Sequence, residues 1–268
     1  MLRPDSYIVV LGAGESGVGA AELAKKKGFK VFVSDSSSID SIYKEQLESL
    51  SVAFEEGAHT TERILSADLV VKSPGIPDKA PLIQKLVANG VSVISEIEWG
   101  FYFLEGGELV AITGTNGKTT TATLTHHILI SRNNNTLLAG NIGDSFAAAV
   151  AKRPSANYVL EVSSFQLDGI QDFRPHISVL TNITPDHLDR YDYSFKNYIG
   201  SKMRIVKNQT TEDFFIYDAD DQVIANEVES RSNDIADEER YWSNHPLPHQ
   251  VSLHSQMLFL IQLILVKQ

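Results

Sequence analysis

The sequence predicts an α/β protein with two parallel-sheet units, on three observations. Short apolar runs of strand type alternate with helical stretches from Tyr7 to Tyr217. The theme of strand, glycine turn and helix occurs twice, at Gly12 and at Gly114. The first run, residues 7–11, is continuously apolar rather than alternating, as in a strand covered by helices on both faces.

The first strand spans residues 7–11 and enters the turn Gly12-Ala13-Gly14-Glu15-Ser16-Gly17. A helix over 18–27 follows, with lysines at its end, where they suit the helix dipole. A strand at 30–34 ends at Asp35; a helix at 41–50 and a short strand at 52–54 come next. The strand at 68–73 is stopped by Pro74-Gly75. A helix at 81–89 carries proline near its start, where the missing N–H costs little. A strand at 91–94 ends the first unit, and the second begins near Ser95. There a strand at 109–113 enters the second glycine turn, a helix spans 119–131, and strands lie at 158–162, 177–181 and 214–217. From about Ser230 the alternation fades. Residues 241–268 form an atypical tail; their apolar run at 257–266 is too short to span a membrane.

The 268 residues carry a net charge of -11, which argues against a nucleic-acid binder that works by charge. A nucleotide-binding enzyme stays open, because backbone N–H groups can hold phosphate inside an acidic protein. With no cysteine, disulfides, thiolate metal sites and a cysteine nucleophile are excluded. No signal peptide is read at the N-terminus. These features fit a cytoplasmic protein.

The strongest chemical signal is Thr113-Gly114-Thr115-Asn116-Gly117-Lys118-Thr119-Thr120 between a strand and a helix. Such a loop turns successive N–H groups toward an anion; Lys118 can reach terminal phosphates, and the Thr119 hydroxyl can ligate Mg²⁺. The general phosphate-loop pattern wants glycine where Ile112 stands, so this is a variant. An incidental lysine on a tight turn is the plain alternative; the strand before, the helix after and Lys-Thr-Thr together weigh against it. The first turn, Gly12-x-Gly14-x-x-Gly17 with Asp35 after the second strand, fits a nucleotide site or simply close helix–strand packing. Glu161 closes one strand, and Asn182-Ile183-Thr184-Pro185-Asp186-His187 follows another. Carboxylate and imidazole groups at strand ends near a phosphate loop suit Mg²⁺ and phosphate. Lys202, by pattern alone, is a solvated surface lysine.

Four spaced motifs together resemble the Mur ligase family: Gly114-Thr115-Asn116-Gly117-Lys118-Thr119-Thr120, Gly140-Asn141-Ile142-Gly143, Glu161-Val162-Ser163-Ser164-Phe165-Gln166-Leu167 and Asn182-Ile183-Thr184-Pro185-Asp186-His187-Leu188-Asp189-Arg190-Tyr191. The Ser-Ser-Phe-Gln-Leu run and Ser73-Pro74-Gly75 resemble its D-glutamate-adding branch. The resemblance implies a Rossmann-like UDP-substrate domain over 1–94 and an incomplete P-loop-type central domain over 95–240, with the family's third domain absent. Gly14, Glu15, Ser16, Asp35, Ser36 and Ser73 would line the UDP-substrate site. ATP would lie on Gly114, Asn116, Gly117, Lys118, Thr119 and Thr120. One Mg²⁺ would sit on Thr119 and Glu161 and a second on His187 and a carbamylated Lys202. Asn141, Ser163 and Gln166 would touch substrate or the metals' surroundings; Lys118, Glu161, His187 and Lys202 would be catalytic.

The implied reaction ligates D-glutamate to UDP-N-acetylmuramoyl-L-alanine with ATP, through an acyl phosphate, in a monomer that binds no nucleic acid and has no membrane span. The tail resembles nothing in that family; with the loss of strand–helix alternation it raises the expectation of a truncated or frame-shifted product, or an assembly-defective gene model, that carries the family's motifs without its ligation activity. Another Mur-type ligase, a non-catalytic UDP-sugar-binding remnant and a nicotinamide-dependent dehydrogenase are the alternatives. The last leaves the second phosphate loop unexplained.

Overall fold

The computed structural model describes residues 2–231, so the tail read at 241–268 lies outside the described residues. The described chain forms two compact units. The first takes residues through Glu105 together with Asp144–Ser155 and Asp168–Phe173; the second takes Gly106–Gly143, Ala156–Leu167 and residues from Arg174 on.

In the first unit β1 (Tyr7–Leu11), α1 (Glu15–Lys26), β2 (Lys30–Ser34), α2 (Ser41–Ser49), β3 (Ala53–Glu55), α3 (Thr61–Leu65), β4 (Leu69–Lys72), α4 (Pro81–Ala88), β5 (Val93–Ser95) and α5 (Glu96–Tyr102) follow in turn. The strand order is β3-β2-β1-β4-β5, with every pairing parallel. The chain thus steps outward from β1 to β3, then returns to β1's other side. That reversal opens a crevice beyond the carboxyl ends of β1 and β4. Ile8, Val9, Val10 and Leu11 are wholly buried, which is why β1 is an unbroken apolar run. Each such side chain contributes roughly 1.5–3 kcal/mol by leaving water.

The later elements are β6 (Leu109–Thr113), α6 (Lys118–Ile130), β7 (Thr136–Gly140), α7 (Phe146–Lys152), β8 (Asn157–Glu161), α8 (Ser164–Asp168), β9 (Ile177–Leu180), α9 (Phe195–Met203), β10 (Phe214–Tyr217) and α10 (Gln222–Ser230). The second sheet runs β10-β9-β6-β8-β7, again all parallel. Ile112 of β6 pairs with Glu161 of β8, and Thr113 with Leu180 of β9. The loop leaving β6 is therefore flanked by the ends of β8 and β9. Val110, Ile112, Val159, Ile177, Val179 and Ile216 form the core against Ala122 of α6.

The non-contiguous parts of the first unit are tied in by specific contacts. A Cβ at Gly100 would lie 2.6 Å from the Phe146 ring, so only glycine lets α5 and α7 approach. The buried Glu98 carboxylate accepts the backbone N–H groups of Gln171, Asp172 and Phe173 at 2.7–3.0 Å. Wholly buried Trp99 donates its indole N–H to the Ala20 carbonyl at 3.1 Å. No helix among the described residues is long and apolar enough to cross a membrane.

Candidate functional site

The first glycine turn exists because α1 sits directly on it. Gly12 has φ +90°, and a Cβ at Gly17 would lie 1.9 Å from the Gly12 carbonyl oxygen. The twelve-residue α1 then starts at Glu15, with its N-terminal dipole directed at the crevice. Beyond the strand ends lies a cleft of about 800 Å³. Gly14, Glu15, Ser16, Asp35, Ser36 and Ser73, the residues read as substrate-binding, all line it. Asp35 also organises the turn: Oδ2 accepts the Ala13 N–H at 2.7 Å and Oδ1 the Ser37 N–H at 2.8 Å. The Ser73 hydroxyl is buried with no hydrogen-bond partner, which leaves it to a ligand in the cleft. One cleft residue, His59, carried no signal in the sequence because its partners are remote in the chain.

In the second unit the phosphate loop bends through Gly114 (φ +148°) and Gly117 (φ +81°) and delivers the chain into α6 at Lys118. It is clamped from the β9 side. Asn182 accepts the Asn116 N–H and donates to the Asn116 carbonyl, both at 3.0 Å. Thr181 donates to the same carbonyl at 2.6 Å. Thr115 exchanges hydrogen bonds with the Thr184 backbone at 3.0 Å. These clamps fix the N–H array before any ligand arrives. Lys118 folds back so that Nζ donates to the Thr115 carbonyl at 2.9 Å.

The two residues read as one Mg²⁺ pair meet. The Thr119 hydroxyl donates to Glu161 Oε2 at 2.7 Å, while Asn141 Nδ2 donates to Oε1 at 2.9 Å. Glu161 is 2% exposed and has no basic residue among these partners. A hydroxyl and a buried carboxylate form a hard-oxygen pair that fits Mg²⁺. Asn141 is brought in because Gly140, at φ +103°, lets the end of β7 approach the Glu161 backbone. Ser163 and Gln166 pair with one another: Gln166 Oε1 accepts from the Ser163 N–H at 2.9 Å and its hydroxyl at 3.0 Å. Thr120 lies in the first turn of α6.

The second metal pair is placed differently. Lys202 is not a solvated surface lysine: it is 2% exposed, and Nζ donates to the Gly114 carbonyl at 2.8 Å over the Tyr198 ring. Helix α9 packs its polar tip against the phosphate loop, a non-local contact that sequence pattern cannot register. Burial, with nearby Asp186, pushes the Tyr198 hydroxyl above its ordinary pKa, against a hydrogen bond to Thr115. His187 stands at φ +48° with an exposed ring, 3.5 Å from Asp186 Oδ2 and against the Phe165 ring. An ammonium group has no lone pair for a metal, so Lys202 as it stands does not fit a second Mg²⁺. Among the described residues no group of three or more histidine and carboxylate side chains is gathered to hold a metal ion.

Comparison with known proteins places these features in a family. Residues 6–95 match the Mur ligase MurD-like N-terminal domain, and residues 112–244 match the Mur ligase middle domain. A UDP-N-acetylmuramoylalanine--D-glutamate ligase from Christiangramia forsetii is 55% identical over 222 residues, 83% of this chain and 50% of that protein. One from Bacteroides thetaiotaomicron is 57% identical over 221 residues, 82% of this chain and 50% of that protein. The chain thus spans about half the length of the curated relatives it matches. Among solved structures, a UDP-N-acetylmuramate:L-alanyl-gamma-D-glutamyl-meso-diaminopimelate ligase from Neisseria meningitides shares the fold. Its TM-score is 0.58 at 20% identity, over 84% of this chain and 75% of that one. The UDP-N-acetylmuramate-alanine ligase MurC from Thermotoga maritima gives 0.53 at 21% identity, over 82% and 51%. With an N-terminal match of MurD-like type and a middle-domain match around the phosphate loop, the chain belongs to the Mur ligase family.

Proposed function

We propose that this chain carries the UDP-substrate and ATP sites of a cytoplasmic, monomeric ligase that joins D-glutamate to UDP-N-acetylmuramoyl-L-alanine. The observation that carries the reading is the Thr119–Glu161 pair beside a pre-formed phosphate loop, in a chain of this family. In the first unit the diphosphate would face the N-terminus of α1, and the Ser73 hydroxyl would donate to the ligand. In the second, the N–H groups of the clamped loop would take the ATP phosphates. Lys118 would exchange the Thr115 carbonyl for a terminal phosphate oxygen. Thr119 and Glu161 would hold Mg²⁺, which when bound neutralises charge on the transferring phosphoryl group.

The L-alanine carboxylate oxygen attacks the γ-phosphorus, and the bond to ADP breaks. The D-glutamate amine then attacks the carbonyl carbon of the acyl phosphate, inorganic phosphate leaves, and the nitrogen loses a proton. The protein's part is to position and neutralise, the main source of rate in phosphoryl transfer. No step is assigned to a second ion or to a carbamate on Lys202. Phosphate release from ATP in the presence of Mg²⁺, UDP-N-acetylmuramoyl-L-alanine and D-glutamate tests the reading. Release that requires both substrates is expected; release indifferent to the UDP compound contradicts it. A second reading is binding of the UDP compound without turnover, since the first unit's cleft, with the Ser73 hydroxyl buried and unpartnered on its wall, is built from residues of its own. Retained binding with no phosphate release would select it.

A further inference from the structure

Lys72 is a charged residue in a place that apolar side chains normally fill. It ends β4, paired with Leu11 of β1 on one side and Ser95 of β5 on the other, and is 3% exposed. A buried ammonium is costly unless it is both paired and hydrogen-bonded. The loop that follows β4 meets that need. Lys72 Nζ donates to the Ile76 carbonyl at 3.0 Å and lies 3.0 Å from Asp78 Oδ1. The side chain thus turns back on its own chain and ties the loop at 73–80 to the end of the strand.

That loop is one wall of the first unit's cleft. Ser73, Pro74, Gly75, Ile76, Pro77 and Ala80 line it, whereas Lys72 and Asp78 do not. The ammonium therefore lies behind the wall and acts on a ligand only through the loop. Pro74 and Pro77 have no N–H to donate, so the loop cannot continue the ladder of β4. It takes a set shape instead: the Ser73 N–H donates to the Leu11 carbonyl at 2.9 Å and the Ile76 N–H to the Ser73 carbonyl at 3.1 Å. Small displacements matter at this wall. A Cβ at Gly12 would lie 2.5 Å from Ser73 Oγ, the same buried hydroxyl that has no partner in the protein.

We propose that Lys72 is a positioning residue of the cleft: its ammonium clasps the loop from behind and sets the place of the Ser73 hydroxyl and of the wall at 74–77. The assignment rests on the UDP-substrate reading of the cleft. The test is calorimetric titration of the 268-residue chain with UDP-N-acetylmuramoyl-L-alanine, together with amide hydrogen exchange of the free chain. Lys72→Met keeps the apolar stem and removes the charge. It is expected to bind the UDP compound about tenfold more weakly, the value of one well-placed hydrogen bond. Exchange at the Ile76 and Ala80 amides, which donate within the loop, is expected to be faster, while the amides of β4 keep their protection. A lysine that only stabilises the sheet would speed exchange in β4 and in the loop alike, and that outcome overturns the proposal. Asp78→Ala changes a side chain that is more than half exposed, so the fold persists without it. It leaves the buried ammonium with the Ile76 carbonyl alone and is expected to weaken binding about threefold. Wild-type affinity in Lys72→Met, or in Asp78→Ala where Lys72→Met does not fold, overturns the proposal while the UDP reading stands. If the wild-type chain does not bind the UDP compound, the reading of the cleft falls and the proposal falls with it.

Discussion

Gly114 holds φ at +148°, and a Cβ there would lie 1.9 Å from the Thr181 hydroxyl. Gly114→Ala should therefore combine backbone strain with a clash and cost on the order of 2–4 kcal/mol. A lowered urea midpoint checks this; an unchanged one contradicts the geometry. Lys118→Ala should weaken ATP binding by about 100-fold or more while the fold persists, since its half-buried ammonium holds the Thr115 carbonyl of the loop and, in the proposed reading, turns to phosphate. Glu96 is a different kind of residue. It is 1% exposed, and burial raises its carboxyl to about 7, against the Ala147 N–H and the Ser145 hydroxyl that favour the charged form. In the unfolded chain it ionises near 4.5, so between the two values unfolding releases a proton. Stability should fall as pH rises through that window, by an amount on the order of 3 kcal/mol, and level off above it. Glu96→Gln should flatten that dependence in urea unfolding followed from about pH 5 to about pH 8; an equal slope in the variant would contradict the assignment. Lys118 and Thr119 were legible in the sequence because a phosphate loop is a local object, written in eight consecutive residues. Glu96 and His59 were not, because burial and a place on a cleft wall depend on residues far away in the chain.

Among the elements, the strands of the first sheet were read to within a residue or two, since their apolar runs are short and bounded by glycine, proline and charge. Strand β7 is not legible in the sequence: Thr136-Leu137-Leu138-Ala139-Gly140 has no β-branched core to separate it from a loop or a helix end. Its last residues were still visible as a glycine-rich motif, and the structure explains them through the approach of Gly140 and Asn141 to Glu161. Helix α5 is the sharper case. Glu96-Ile97-Glu98-Trp99 carries acids with the look of a solvated face, yet both carboxyls are buried. Glu98 holds three successive N–H groups of the segment 171–173 against α5. Glu98→Ala would remove the buried acceptor that all three share and leave the Phe173 N–H unpaired in a buried setting, so a loss of about 2 kcal/mol or more is expected. Hydrogen exchange of the 171–173 amides checks it: faster exchange in the variant is predicted, and unchanged protection would contradict the role.

At the scale of the whole molecule, parallel sheets with a central first strand put each glycine turn at the middle of its sheet's carboxyl edge. Alternation of strands and helices made that architecture legible. The non-contiguous composition of the first unit was not, because periodicity is local and says nothing about where Asp144–Ser155 packs. In the proposed reading each unit therefore holds one nucleotide site, with separate residues in each. Titration of the chain with UDP-N-acetylmuramoyl-L-alanine and, separately, with Mg²⁺ and ATP tests that assignment most directly, in the wild type and in Lys118→Ala. Both ligands are expected to bind the wild-type chain without displacing one another, and Lys118→Ala is expected to lose ATP while it keeps the UDP compound. Displacement of one ligand by the other, or loss of both in Lys118→Ala with the fold intact, would contradict the proposed reading.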